Sequence, residues 1–526
     1  MLKNLLVSIF LLPCLVVAQP NLQTRPERSH YTETSRYEDV MAFVRSVVAR
    51  SPKMKLTTFG YTNEGRSLPL IVWGNVRDAS PEGVKASGKT RMFVMANIHA
   101  GEVEGKEAMQ VLLRDLMQGK HREWADSLVL LIAPIYNADG NERIRLTNRQ
   151  LQYGPIGGMG QRPNAQDLDL NRDHIKLESP EARSLIRLLD TYDPHIWMDL
   201  HTTDGSVHAY HLTYAPPLHP NSPKNIDDAL RKVILPQITD TIRRKYGWEY
   251  YYYGNMPDVG ESYTNSRQPE RAWYSFDHRP RFSNNYAGMR NRFGILSEAY
   301  SYATFDERIK ATLYFVEEVA NYARNHAKAI RTMTAQADAE NIVGQKMGLR
   351  ASLFKNNASV DILAGDVSVE KNPYTGETMW KRLPTKRVEK MPEYGAFAST
   401  ESETVPQSYY IPAELTTIID RLTSHGIKFE RLAQEQSLEL QEFGIDSTKT
   451  SRNAFQGHKE RNVWGKYRSV TTKLPVGTVV VNMNQPLARL AFTLLEPRSD
   501  DGFLDWNFLD STLDKSSKLY PIRRKM

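Results

Sequence analysis

Cysteine is almost missing from this chain. Its one cysteine, Cys14, lies in an N-terminal apolar stretch. If that stretch is removed, the mature chain has no disulfide staples, thiolate nucleophiles or thiolate ligands, so any metal must be held by histidine and carboxylates. Long apolar runs are equally scarce. Residues 5–17 form the longest, too short to span a bilayer as a stable helix. With one lysine before it and small residues at Val16 and Ala18, this run has the anatomy of a signal peptide. Cleavage is predicted after Ala18, with a periplasmic or secreted product and no integral membrane segment afterwards. A strong charge of one sign is absent too: 68 basic residues against 61 acidic ones leave +7, thinly spread. The only compact run, Arg523-Arg524-Lys525, reads as a solvated basic tail, and no nucleic-acid partner is expected. Internal repeats and low-complexity tracts are lacking.

A chain of 526 residues is too long for one ordinary core, so two or more domains are expected. Between residues 56 and 330 the apolar pattern alternates between strand and helix. Strand-length runs occupy 68–73, 92–98, 128–135, 195–200 and 293–297. Helical spacing marks 104–117, and 180–192 opens with Ser179 as cap and Pro180 in the first turn. A helical stretch over 227–245 is interrupted at Pro236, and a long helix runs from 305 past 329. The predicted fold class is α/β, a mixed, mostly parallel sheet flanked by helices. After a polar helix-prone exit at 332–341 the pattern changes to strand pieces separated by turns. The expected division is a leader 1–18, a lead-in 19–55, a catalytic domain 56–335 and a β-rich α+β accessory domain 340–526.

Three short stretches carry the chemistry: His99-Ala100-Gly101-Glu102, Asp169-Leu170-Asn171-Arg172 and Asp199-Leu200-His201. His99 ends one strand and His201 another, and in open α/β sheets the ligand crevice lies at the carboxyl ends of strands. His-x-x-Glu alone is a weak signal; the second strand-end histidine strengthens it. Two histidines and one carboxylate, with a position left for water, form a catalytic rather than a structural zinc pattern. Asp169 and Asp199 are candidates to accept from the far side of the ligand imidazoles. His195, His208 and His211 read as structural or rim residues. Glu298, delivered by the strand at 293–297, is placed to serve as a base for metal-assisted hydrolysis, or to form a buried ion pair.

These motifs, in this order, resemble those of the zinc carboxypeptidases, the carboxypeptidase A-like metallopeptidases. Asn137-Ala138-Asp139-Gly140 resembles the family's Asn-Pro-Asp-Gly turn, and Asn63-Glu64-Gly65-Arg66 its early strand entry. The run from Arg162 to Arg172 (Arg-x-Asn-Ala-x-x-x-Asp-x-Asn-Arg) is closest to bacterial members, including murein peptide amidases. The resemblance covers residues 56–320 and implies a carboxypeptidase-like fold. It assigns His99, Glu102 and His201 as ligands of one zinc ion per chain, and Glu298 as general base and acid. It assigns Asn171 and Arg172 to the substrate's terminal carboxylate, Arg162 to the scissile carbonyl, and Asp169 to support of the first zinc histidine. Gly101 departs from the pattern, standing where an arginine is often found, so one extended subsite is expected to be missing. Tyr274, Tyr286 and Tyr300 compete for the tyrosine that closes over substrate, and 282–292 is a candidate lid or rim.

The expected activity is hydrolysis of the C-terminal peptide bond of peptides. Two alternatives stay open: a zinc amidase or deacylase acting on muropeptides or N-acyl amino acids, and an inactive protein that captures carboxylate ends.

Overall fold

A computed structural model describes residues 22–257, 270–513 and 518–526, with the backbone of 262–263 and 266–267. The leader expected at 1–18 lies outside the described residues. Among those described, no helix is long and apolar enough to cross a membrane.

The sheet that positions the site has eight strands: β1 Met54–Tyr61, β2 Ser67–Trp73, β3 Thr90–Ala96, β4 Leu128–Ala133, β5 Ile196–Thr203, β6 Leu212–Ala215, β7 Tyr250–Tyr252 and β8 Phe293–Tyr300. Their spatial order is β1-β2-β4-β3-β5-β8-β6-β7. The central strands β4, β3, β5 and β8 are parallel, and antiparallel pairs occur towards both edges. This is the mixed, mostly parallel α/β sheet that the alternating apolar runs predict. Strands β5 and β8 run longer than expected, because they pair with each other as far as Thr203 and Tyr300. His201 and Glu298 therefore sit inside strands rather than beyond them.

Both faces of the sheet are covered. Helices Tyr37–Val48, Glu104–Met117, Leu235–Tyr246 and Phe305–Asn325 bury Val44, Leu112, Ile238 and Phe315 against one face. The segment before residue 56 thus contributes a core helix and the start of an edge strand. Pro236 does not interrupt the helical stretch around it. It follows a π-turn, Leu230–Ile234, and falls in the first turn of the next helix, where a missing N–H is tolerated.

On the opposite face, helices Pro180–Tyr192 and Ser283–Met289 pack beneath the C-terminal segment. Leu185, Trp197 and Tyr286 share one apolar cluster with Tyr409, Phe443, Phe492 and Trp506. The C-terminal segment is rich in β-structure, as expected. Its six-stranded sheet includes a long hairpin, Gln436–Thr450 with Arg461–Leu474. The expected basic tail is corrected here. Arg523–Lys525 is a strand of that sheet, paired with Ser408–Ile411, and Arg524 is buried between Glu496 and the Tyr467 ring. A paired carboxylate and an aromatic face offset the desolvation of its charge.

Two loops singled out in the sequence close on each other. The fully buried Asp139 carboxylate accepts from Thr62 Oγ1 at 2.7 Å, Glu64 N at 2.8 Å and Arg66 Nη1 at 2.7 Å. The turn at 63–66 is thereby tied to the turn at 137–140 beside the site. Asp139→Ala should cost about 3 kcal/mol, because it leaves the Glu64 N–H and the Thr62 hydroxyl without their acceptor and takes one of two carboxylates from Arg66. Urea unfolding with unchanged m would register the loss.

Candidate active site

The β5–β8 register places the first two functional groups. Glu298 pairs with His201, so their side chains are neighbours on one face of the sheet. Alternation puts Asp199 and Leu296 one step earlier on that same face. His99 and Glu102 come from the turn after β3, which begins at Asn97 with φ of 67° and closes with Glu102 N donating to His99 O at 2.9 Å.

His99, Glu102 and His201 converge, with one ligand atom of each within 4.8 Å of the others. His99 Nδ1 lies 3.1 Å from Glu102 Oε1, and His201 Nδ1 lies 3.0 Å from Glu102 Oε2. The opposite nitrogens are held by acids: His99 Nε2 is 2.9 Å from Asp169 Oδ1, and His201 Nε2 is 2.8 Å from Asp199 Oδ2. Asp199 also accepts from Ser283 Oγ at 2.5 Å. This donor set fits a zinc ion. Two imidazole nitrogens and one carboxylate face a common point, and each ring is oriented through its other nitrogen by a carboxylate. Burial opposes ionisation of Glu102, but His99 and Arg149 outweigh it and hold the carboxyl well below the usual range.

The centre opens into a cavity of about 320 Å³ that also touches Glu298, Arg162, Asn171 and Arg172. The Glu298 carboxylate has no hydrogen bond or ion pair to another described residue, and burial pushes it up to about 8, against the pull of His201. Arg162 reaches over the rim. Its Nε and Nη2 lie 3.0 Å from Asp169 Oδ2, and its Nη1 lies 3.5 Å from Glu102 Oε1. Arg172 stacks on Phe282 at 3.9 Å and donates from Nη1 to Asn171 O at 2.7 Å. Among the described residues the nearest carboxylate oxygen to it, on Asp169, is 4.0 Å away, and burial pulls Arg172 down to about 10. Asn171 Oδ1 accepts from Ser283 N at 2.9 Å, which leaves its amide N–H groups without a partner among the described residues.

All eight site residues expected from the sequence therefore border the same space or support its edge. The competing histidines do not. His195 Nδ1 accepts from Arg91 N, His208 stacks on Tyr300, and His211 on Trp248. The three tyrosines considered for closure also lie elsewhere. Tyr286 bonds to His425, Tyr300 to the backbone near 206–208, and Tyr274 to Glu270 O. Among the described residues, the tyrosine lining the cavity is Tyr253. The candidate lid at 282–292 is a buried helix, Ser283–Met289, covered by the C-terminal segment.

The sequence reading missed Arg149. Its Nη1 donates to Glu102 Oε1 at 3.1 Å and its Nη2 to Thr202 O at 2.8 Å. A guanidinium from a distant loop thus lies beside Gly101. A Cβ on Gly101 would lie 2.8 Å from Arg149 Cδ and 2.9 Å from Gly160 O, so the missing side chain makes the room. The absence at 101 was the only signal in the sequence, and it does not say which arginine crosses the gap. Tyr253 stacks edge-on against Phe276, and Phe276 packs on Phe282, giving the cavity an aromatic wall that has no spacing motif.

A family model described as zinc carboxypeptidase matches residues 40–283. The matched residues form a zinc carboxypeptidase domain. Carboxypeptidase 2 of Trichophyton rubrum is 24% identical over 518 residues, covering 93% of this chain and 86% of the relative. Carboxypeptidase 2 of Trichophyton equinum is 24% identical over 517 residues, with the same shares. Among solved structures, a metallo-carboxypeptidase from Burkholderia cenocepacia is 14% identical, with a TM-score of 0.41, covering 56% of this chain and 70% of that one. This carboxypeptidase is an enzyme, a zinc-dependent peptidase by family. The curated matches continue through the β-rich segment, whereas the family model stops before Glu298.

Asp199→Asn should weaken zinc binding by about 10- to 100-fold, because the acceptor behind the imidazole of His201 loses its negative charge. Competition against a chromogenic chelator measures it.

Proposed function

We propose that this carboxypeptidase releases the C-terminal residue of peptides, with Arg172 and Asn171 gripping the free carboxylate and Glu298 moving the proton. The observation that carries this reading is Arg172 itself. It is a largely buried guanidinium on the wall of the cavity; among the described residues its nearest carboxylate is 4.0 Å off, and the Asn171 amide beside it has donors without a partner. A planar fork with donors to spare suits a carboxylate bidentately, and a charge left so poorly compensated favours an incoming anion.

Zinc held by His99, Glu102 and His201, one ion per chain, would supply Lewis acidity toward water and toward the substrate carbonyl. The chain's own groups do the rest. Glu298 accepts a proton from the attacking water and delivers it to the departing amine nitrogen. Arg162, turned into the cavity mouth, donates to the carbonyl oxygen as negative charge builds on it. Asp169 and Asp199 keep the two imidazoles in one tautomer and orientation. Arg172 and Asn171 fix the terminal carboxylate, so that only the last peptide bond reaches Glu298. Residues 56–335 serve as the catalytic unit and 340–526 as its accessory. The leader-like residues 1–18 support export to the periplasm or exterior.

Glu298→Gln should retain zinc and lower kcat by about a thousand-fold; near-normal turnover would remove the role assigned to Glu298. Arg172→Ala should lower kcat/KM by about a hundred-fold on free peptides and far less on C-terminally amidated ones. Equal losses on both would end the carboxylate-grip reading.

The pH dependence has a definite sign. A base must be ionised, so kcat/KM falls as pH drops through the Glu298 pKa. Before any metal is bound that group lies at about 8, against an ordinary 4.5. A bound dication favours the carboxylate, so the acid limb of the zinc enzyme should fall between those values. Rate profiles at saturating zinc would locate it.

A further inference from the structure

The acid behind His99 is itself held from outside the catalytic sheet. The backbone N–H of the buried Asp169 donates to Gln456 Oε1 at 2.8 Å. Gln456 lies at the tip of the long C-terminal hairpin. Phe455 and His458 exchange backbone hydrogen bonds of 2.7 and 3.0 Å, so Gln456 and Gly457 are the central pair of a two-residue turn. Their φ angles are 51° and 81°. Two successive positive φ values are type I′ geometry, which favours Asn, Asp or Gly at the first position; a Gln there carries an avoidable steric cost. The tip is pinned on both sides. His458 Nε2 lies 2.8 Å from Glu178 Oε1, and Phe455 packs against Trp506 and the Arg281 guanidinium. A residue poorly suited to the turn, with its side chain on the acid that orients a ligand histidine, has a local explanation in that contact.

We propose that Gln456 is a positioning residue of the active site: the hairpin tip fixes Asp169 and, through it, the direction of His99 Nδ1. The C-terminal segment is then part of the outer support of the metal centre as well as a cover for one face of the sheet. This rests on the reading that His99 is a zinc ligand backed by Asp169.

Two variants of the full-length zinc-loaded protein separate positioning from folding. Gln456→Asn suits the turn better but is one methylene too short to reach Asp169. Gln456→Glu keeps an acceptor oxygen at the original reach. Zinc release to a chromogenic chelator, kcat and KM on a free peptide, and the thermal midpoint are measured for each. The expected result for Gln456→Asn is an equal or higher midpoint, zinc release about 10-fold faster and kcat lowered by a similar factor with little change in KM. Gln456→Glu should restore most of both losses. Zinc release and kcat within twofold of wild type in Gln456→Asn would overturn the proposal, as would a change confined to the midpoint. A wild-type chain that takes up no zinc would remove the metal-centre reading and this proposal together, an outcome visible before any variant is made.

Discussion

One carboxylate organises the site. Glu102 faces the Nδ1 atoms of both His99 and His201, and everything nearby serves to keep that three-way meeting in place. Three like-minded donors do not gather in a protein interior without a reason. Two imidazoles and a carboxylate brought together cost desolvation, and here the cost is offset by acids behind the rings and by Arg149 across the carboxylate. The parallel pairing of β3, β5 and β8 delivers His99, His201 and Glu298 to one edge of the cavity. A one-residue slip of β8 against β5 would turn Glu298 to the opposite face.

The cavity sits within a dense network of buried charge. Asp199 joins His201 to Ser283, Ser283 joins Asn171, and Phe282 carries Arg172 on its ring. Arg281, one residue earlier, is tied to Asp501, Asp505 and Glu460 of the C-terminal segment. Three consecutive residues thus connect Asn171 and Arg172, an imidazole-backing acid and the C-terminal segment. Since buried ion pairs are weak evidence for stability, their value here is directional: they fix the segment that carries Phe282, on whose ring Arg172 lies with no carboxylate of the described residues closer than 4.0 Å.

This coupling explains why so little of the C-terminal chemistry was legible. The catalytic half announces itself through contiguous motifs, since His99-x-x-Glu102 and Asp169-x-Asn171-Arg172 each arise from a single turn. Gln456, Ser283 and Arg149 act by reaching across the fold, over separations that leave no spacing pattern. The basic run at 523–525 misled for a related reason. Charge composition suggests solvent, but a strand flanked by Glu496 and Tyr467 gives Arg524 an interior place.

The sequence by itself determined the alternation of apolar runs, and with it the α/β class. It also singled out His99, Glu102, His201, Glu298, Asn171 and Arg172, which the fold brings to one cavity, because the motifs that resemble the family's are short and contiguous. Only the tertiary structure decided which arginine crosses Glu102, which tyrosine lines the cavity, and that the supposed lid is a buried helix. Those outcomes depend on which distant surfaces pack together, and packing is a property of the whole chain's shape, not of any window along it.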